Sequence, residues 1–436
     1  MFIHHLLRLL IFFFSGISSI LNAQSGIIQS GPMLGPATLR EVSIWIQTKE
    51  VADIQIEYKV KAEKTQYNKT SILKTKGEDG YAATLQLTNL SPGTTYDYKI
   101  KVNGSYWTTS YPFEFKTQEH WQYRKPIPDF SFVAGSCFYI NDSMYDRPGK
   151  SYGGGYEIIK SIKETNPDFM VWLGDNIYLR EGDFDSRSGI YYRNTHTRSL
   201  PELQPLLAAL PHYAIWDDHD YGTNDSDWTY VLKGHALDAF KDFWPSQSYG
   251  AGHTEGVTNS FIWNDCQFFM LDNRWYRTVQ KEEGTILGDQ QKYWFKEALL
   301  ASKATYKFVA VGSQFLNDFV GFENFSNYKS EREELIQFID DNNIKNVVFL
   351  TGDRHHSEVS KLTTDKGNVI FDVTSSAMTS STYDHLSEAN TLRIKGSHIA
   401  ERNFAVFNIS GTEKERKLSV VFKNTRGEQI YKYSFE

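Results

Sequence analysis

Four short segments of this 436-residue chain gather the residue types that do chemistry. They are Gly135-Ser136-Cys137, Gly174-Asp175-Asn176-Ile177-Tyr178, Asp217-Asp218-His219-Asp220 and Gly352-Asp353-Arg354-His355-His356. Each follows an apolar run that reads as a β-strand, and the carboxyl ends of strands are where open sheets bind ligands. One Gly-Asp pair or one histidine beside a strand is an ordinary turn or cap. Together the segments offer a thiolate, several carboxylates, a phenolate and imidazoles, a donor set that one cleft can hold only with multivalent cations to neutralise it. Carboxylate and carbonyl oxygens suit hard ions such as Ca²⁺, Mg²⁺ or Mn²⁺, whereas thiolate and phenolate select a transition metal, Fe³⁺ where a tyrosinate is offered. A mixed site is expected. A carboxylate such as Asp175 has two oxygens and can bridge ions about 3.5–4 Å apart, the spacing of two-metal sites that clamp in-line displacement at phosphorus. The expected reaction is hydrolysis of a phosphate ester: the cations acidify a bound water and neutralise phosphate charge, and a nearby imidazole protonates the leaving oxygen.

Strands and helices must carry these segments, and from Phe130 onward the chain alternates the two in α/β fashion. Strands are expected at 132–135, 169–174, 213–216, 268–271, 308–312, 347–351 and 369–373, with β structure returning at 404–409, 418–422 and 429–435. Helices are expected at 156–166, 202–210, 232–243, 290–302 and 332–342. A two-sheet core flanked by helices accommodates this order. Before it, from about Gly26 to Thr117, Val42-Ser43-Ile44-Trp45-Ile46 and Ile54-Gln55-Ile56-Glu57-Tyr58 alternate apolar and polar with period two, as short antiparallel strands do. A Pro92-Gly93 turn precedes Tyr96 and Tyr98, so this part is similar to a fibronectin type III or immunoglobulin-like module with a corner tyrosine. The divisions expected are a leader over 1–23, a β-sandwich over 26–118 and an α/β domain over 130–436, with a proline-bearing linker between the last two.

Composition excludes several classes. With 40% hydrophobic and 15% aromatic residues the chain can bury a large core, so it is not a disordered scaffold. A formal net charge of -7 supplies no general field for nucleic-acid phosphates, and no specific nucleic-acid partner is expected. Met1 to Ala23 has the basic start, short apolar run and small-residue end of a secretory signal, so the protein is expected to be exported to the periplasm or outside the cell. No later run is long enough to span a membrane. In an oxidising compartment the two cysteines, Cys137 and Cys266, invite a disulfide. Cys137 stands instead where α/β enzymes project functional groups, and Cys266 sits in an apolar strand as packing.

Beyond the four segments, Trp172-Leu173 before Gly174, Tyr221-Gly222-Thr223-Asn224-Asp225 after Asp220, and Leu271-Asp272-Asn273-Arg274 complete an ordered series. In that series the chain resembles the alkaline phosphatase D, or PhoD-like, branch of the calcineurin-like metallophosphatases over roughly 131–436. The resemblance implies a two-sheet sandwich flanked by helices, an Fe³⁺ and Ca²⁺ centre, export, and action on a small phosphate ester, monoester or diester. It makes Cys137 and Tyr178 ligands of the iron, with Asp175 bridging and Asp353 joining them. Asp218 would bind the second metal, with Asn224 and His355 as further ligands there, and His219 would contact the phosphate or protonate the leaving group. Asp217, Asp220 and Asp225 would orient that imidazole. Arg354 and Arg193 would meet the phosphate, since a guanidinium matches it bidentately. The superfamily's usual first motif is an Asp and a His one residue apart; here Gly-Ser-Cys replaces it, so Zn²⁺, Mn²⁺ or Mg²⁺ remain alternatives to iron and calcium.

Other features read as structure. Thr374-Ser375-Ser376 has no nucleophile elbow around it. Leu271-Asp272-Asn273-Arg274 reads as an ion-paired turn, and His235, His253, His385 and His398 as surface or packing residues. Tyr191-Tyr192-Arg193 reads as either a pocket wall or core. Two further functions stay open: a phosphodiesterase directed at a phospholipid or nucleotide, and a catalytically silent, metal-containing surface binding protein. No feature specifies an oligomeric state.

Overall fold

The computed structural model describes residues 26–279 and 283–435, so the expected leader lies outside the described residues. Three apolar runs, Phe130–Gly135, Phe169–Leu173 and His212–Ile215, are buried along almost their whole length and pair in parallel. Strands covered on both faces can be continuously apolar, which is why these runs lack alternation. Their six-stranded sheet continues antiparallel through Asn403–Ser410, Lys417–Asn424 and Gln429–Phe435. A second six-stranded sheet has Cys266–Met270, Tyr306–Ala310, Val347–Thr351 and Val369–Thr374 in parallel, closed by antiparallel edges Asn259–Trp263 and Glu358–Thr363.

The two sheets meet through aromatic rings. Phe132 stacks on Phe407 at 4.6 Å and on Phe169 at 5.2 Å within its own sheet, and meets Phe268 and Phe308 of the other edge-on, each at 5.1 Å. Edge-to-face contact suits the ring quadrupoles and adds to the area buried. Helices cover the outer faces: Ile158, Ile159 and Ile162 of Glu157–Glu164 join the core around Met170 and Trp172, while Phe295, Leu299, Leu335 and Ile339 of Asp289–Ala301 and Lys329–Asp341 join Val309 and Phe349. The order is helix, sheet, sheet, helix, as expected.

Two helices escape the expectation, the single turn Asp218–Tyr221 and the longer Arg187–Arg198. Arg187–Arg198 is polar and carries a glycine, two threonines and an asparagine, so its apolar periodicity is weak. It forms because Ser186 caps it, its side chain accepting from the Gly189 N–H at 3.1 Å, and because it is buried on several sides. Tyr191 belongs to the core, and Arg193 is fully buried against Asp183 at 2.7 Å and Asp142 at 3.3 Å. Tyr191 and Arg193 are therefore core, Tyr192 is 41% exposed with its hydroxyl donating to Asp142 at 2.9 Å, and Arg193 is an ion-paired structural residue rather than a phosphate contact. The stretch 202–210 splits into a 3₁₀ turn, Pro201–Leu203, and the short helix Gln204–Leu207.

The amino-terminal part is all β. Ile28–Ala37, Val42–Thr48 and Ala82–Leu87 make one antiparallel sheet, and Asp53–Val60 and Thr95–Val102 centre the other. Tyr96 is the corner residue, its hydroxyl accepting from the Ser91 N–H at 2.8 Å. This unit is packed onto the helical layer: Trp45 is fully buried, its indole N–H donates to the Asp242 carbonyl at 2.7 Å, and its ring lies 5.7 Å from Phe243.

Candidate metal centre

All the parallel strands of both sheets end on one side of the molecule, and the chemistry-bearing segments follow them. Turning a side chain back over a strand end requires unusual backbone. Cys137, Asp175, Asp353 and His355 hold φ of 58°, 52°, 65° and 56°, the left-handed region that non-glycine residues rarely occupy. Gly174 has φ 92°, and a Cβ there would lie 2.6 Å from the Cβ of Asp217. Only glycine lets the 174–178 loop pass this close to the 217–220 segment.

These turns bring the donors together in overlapping groups. Ligand atoms of Cys137, Asp175 and His355 lie within 4.8 Å of one another, as do those of Asp175, Asp218 and His219, those of Asp217, Asp218 and Asp353, and those of Asp218, Asp225 and Glu323. Asp175 belongs to two groups, at the junction of the sulfur end and the carboxylate end. Around the sulfur, Cys137 Sγ lies 3.5 Å from Asp175 Oδ2 and accepts from the Ser376 hydroxyl at 3.1 Å. The Tyr178 hydroxyl is 3.4 Å from His355 Nε2, and the Tyr178 ring lies 4.3 Å from that of His219. Both cysteines are free, so Cys137 and Cys266 form no disulfide.

Several buried acceptors of the cluster have no hydrogen-bond partner: Asp175 Oδ1, Asp217 Oδ2, Asp218 Oδ1 and His219 Nδ1. Buried polar atoms are normally satisfied, and lone pairs left facing one another are what a cation site looks like in the protein alone. The charges agree. Burial and then the charge of Asp218 push Asp175 far above the ordinary carboxylate range, and burial and then Asp217 do the same to Asp353. Burial works in the same direction on Asp218, yet His219 and Arg274 outweigh it and hold that carboxyl low. Burial raises the Cys137 thiol and the Tyr178 phenol, so both need a positive ion beside them to serve as anionic ligands. The residues present fit a cluster of cations with one soft end and one hard end.

The structure separates several expected roles. His355, expected beside Asp218, stands at the sulfur end with Cys137 and Asp175. Its Nδ1 lies 3.0 Å from the Ser380 hydroxyl and 2.5 Å from the Ser381 carbonyl, so Nε2 is turned toward Tyr178. Asp220 orients backbone rather than an imidazole, accepting from the N–H groups of Asn176 at 3.0 Å and Asp217 at 2.9 Å; burial raises it to about 7. Asn224 is exposed and lines the lip of a pocket of about 490 Å³ together with His219 and Thr223. Arg354 is buried, and its guanidinium is occupied by Glu388, by Gln314 at 2.8 Å and by Asn324 at 3.1 Å, so its place is structural. Tyr139, Tyr152, Tyr178 and Tyr383 form the aromatic side of the pocket.

One contributor had no local signal, and two more were read as plain structure. Asp217 accepts from Asn273 Nδ2 at 2.7 Å and from Arg274 Nε at 2.5 Å, so the 271–274 turn, read as ion-paired structure, holds the carboxylate end in place. Glu323 joins the donors from a loop with no strand-end motif and pairs with Arg274 and, at 3.0 Å, with Arg277. Ser376, in the serine run read as a plain turn, steadies the sulfur.

Comparison with known proteins agrees with this architecture. The PhoD-like phosphatase family matches residues 132–410, and a domain of unknown function matches residues 26–120. Alkaline phosphatase D of Bacillus subtilis (strain 168) is 27% identical over 290 residues, covering 55% of this chain and 48% of that protein. The chain thus spans about half the length of the curated relative it matches. A solved structure of PhoD is similar with a TM-score of 0.75 at 18% identity, covering 94% of this chain and 88% of that one. Purple acid phosphatase PPD1 from yellow lupin (Lupinus luteus) seeds is similar with a TM-score of 0.67 at 14% identity, covering 92% and 73%. At these identities the two structures speak to the fold, and the family match, which takes in more than half of the chain, speaks to descent. The chain belongs to the PhoD-like phosphatase family, within the metallophosphatase superfamily.

Proposed function

We propose that this protein is a metal-dependent phosphoric ester hydrolase with at least two cations in one centre. The observation that carries the reading is the sharing of Asp175 between two donor groups, one led by a thiol and the other by a carboxylate. Cys137, Tyr178 and His355 would hold a transition ion, Fe³⁺ in our reading, and Asp218, Asp353 and Asn224 a harder one such as Ca²⁺, with Asp175 between them. When bound, such cations acidify a water, offset phosphate charge and steady the leaving oxygen.

The chain's own residues do the rest. His219 is 20% exposed and so reaches the pocket, and with its Nδ1 buried it holds the proton for the leaving oxygen at Nε2. Asp218 Oδ2, 3.9 Å from that nitrogen, favours the protonated ring against the lowering effect of burial. Arg147 and Lys150 line the pocket and offer positive charge to an arriving phosphate, while Arg180 is spent on Asp146 and two backbone carbonyls, and the pocket's tyrosines give the ester's organic group a surface to pack on. A small phosphate ester is the fitting substrate. The leader pattern at Met1 to Ala23 supports export, and the all-β amino-terminal part acts as a brace for the helical layer.

The test is turnover of p-nitrophenyl phosphate and bis(p-nitrophenyl) phosphate by metal-loaded protein from about pH 6 to about pH 10. Hydrolysis of either supports the reading, and their ratio separates monoester from diester preference. A folded, metal-loaded sample that turns over neither would leave the silent binding protein in its place.

A further inference from the structure

We propose that His356, His398 and Glu358 form a second metal site, sharing no donor with the centre above, that takes a divalent transition cation such as Zn²⁺. Backbone register builds it. Ser357 and Ile399 form an antiparallel bridge through paired N–H and C=O groups at 2.9 and 2.8 Å. His356 and Glu358 flank Ser357 and therefore project to one face, while His398 precedes Ile399 and so stands opposite Glu358 on that same face. Ligand atoms of the three residues lie within 4.8 Å of one another, and His356 Nε2 is 3.4 Å from Glu358 Oε2.

Hydrogen bonding settles which nitrogens carry protons. His356 Nδ1 lies 3.1 Å from the Arg354 carbonyl, which can only accept, so Nδ1 is protonated and the neutral ring presents a lone pair at Nε2. His398 Nε2 lies 3.0 Å from Asp384 Oδ1, so it is the protonated nitrogen and the lone pair is at Nδ1. Those two atoms, His356 Nε2 and His398 Nδ1, are buried and have no hydrogen-bond partner. His356 is fully buried and the His398 side chain is 8% exposed. Imidazoles whose outer nitrogens are tied to a carbonyl and a carboxylate, with bare inner nitrogens facing a third donor, have the second-sphere arrangement of metal-binding histidines.

The remaining surroundings are consistent with a cation. Glu358 Oε1 is taken by Gln314 at 2.9 Å and Asn390 at 2.8 Å, leaving Oε2 for the cluster and for Arg393. Glu358, Asp384 and Glu388 outnumber Arg354 and Arg393, and Glu388 Oε2 is a further buried acceptor without a partner. The His385 ring, 5.2 Å from that of His356, borders the group. A nitrogen-rich set with one carboxylate suits zinc better than calcium. A cation here would clasp the segment 384–398 to the edge strand Glu358–Thr363, and that segment continues from Ser380 and Tyr383, which hydrogen-bond His355.

Crystals of the wild-type protein soaked in zinc chloride, with anomalous data across the zinc edge, test the site without any variant. We expect a peak among His356 Nε2, His398 Nδ1 and Glu358 Oε2. In parallel, zinc equivalents retained by the wild type and by His398→Ala are counted after dialysis, and the variant should lose one equivalent while p-nitrophenyl phosphate turnover and the remaining metal persist. Zinc in the main centre with no peak here, or unchanged equivalents in a folded His398→Ala protein, would overturn the proposal and leave a protonated His356 paired with Glu358.

Discussion

Asp175 is the residue on which the centre turns: it lies at the end of an apolar strand, in left-handed backbone, with one oxygen 3.5 Å from a sulfur and the other buried without a partner. Asp175→Asn keeps the shape and removes the charge, so metal and rate should be lost together, kcat by about 10³-fold or more. Elemental analysis beside a rate assay checks this, and full rate with reduced metal would reassign the residue. His219→Ala separates the two effects: it should keep its metal and lose roughly 10²–10⁴-fold in kcat, most for esters with poor leaving groups. Residue types made these positions legible, because a cysteine, aspartates, a tyrosine and histidines after apolar runs have few other uses in combination. Glu323 was not legible, since its loop places it through pairing with Arg274 and Arg277, a contact that no local spacing encodes.

At the scale of elements, the strand ends must turn sharply and stay turned. Gly174→Ala would force a side chain into φ 92° backbone and against Asp217, so we expect a loss of about 1–3 kcal/mol in unfolding free energy, measured by urea titration. Weaker binding of added metal should accompany it, because the loop carrying Asp175 would shift; an unchanged midpoint would show that the loop relaxes freely. The buried parallel strands were readable as continuous apolar runs, and the amphipathic helices as periodic ones. Arg187–Arg198 and the edge strand Glu358–Thr363 were not, because both are rich in polar residues and owe their form to neighbours. The His356 and His398 pair was hidden for a related reason: a bridge between Ser357 and Ile399 joins residues about forty positions apart in sequence.

Across the whole molecule, two sheets sealed by Phe132, Phe268, Phe308 and Phe407 hold the strand ends rigid, and the amino-terminal sheets brace the helical layer through Trp45. Trp45→Ala should cost about 3–5 kcal/mol and lower the melting temperature of the chain as one transition; two separated transitions in calorimetry would show that the halves unfold independently. Chelation should also lower the melting temperature, since cations that bind only the folded state contribute about 2.7 kcal/mol at a hundredfold excess over Kd. In our proposal, one cluster gathered from distant strand ends holds its cations with the sulfur of Cys137 as a ligand. X-ray absorption at the edge of the resident transition metal in active protein tests it most directly. We predict a sulfur shell at about 2.3 Å that disappears in Cys137→Ser, Cys266 being buried in another strand. An active enzyme whose metal shows only nitrogen and oxygen neighbours would rule Cys137 out as a ligand.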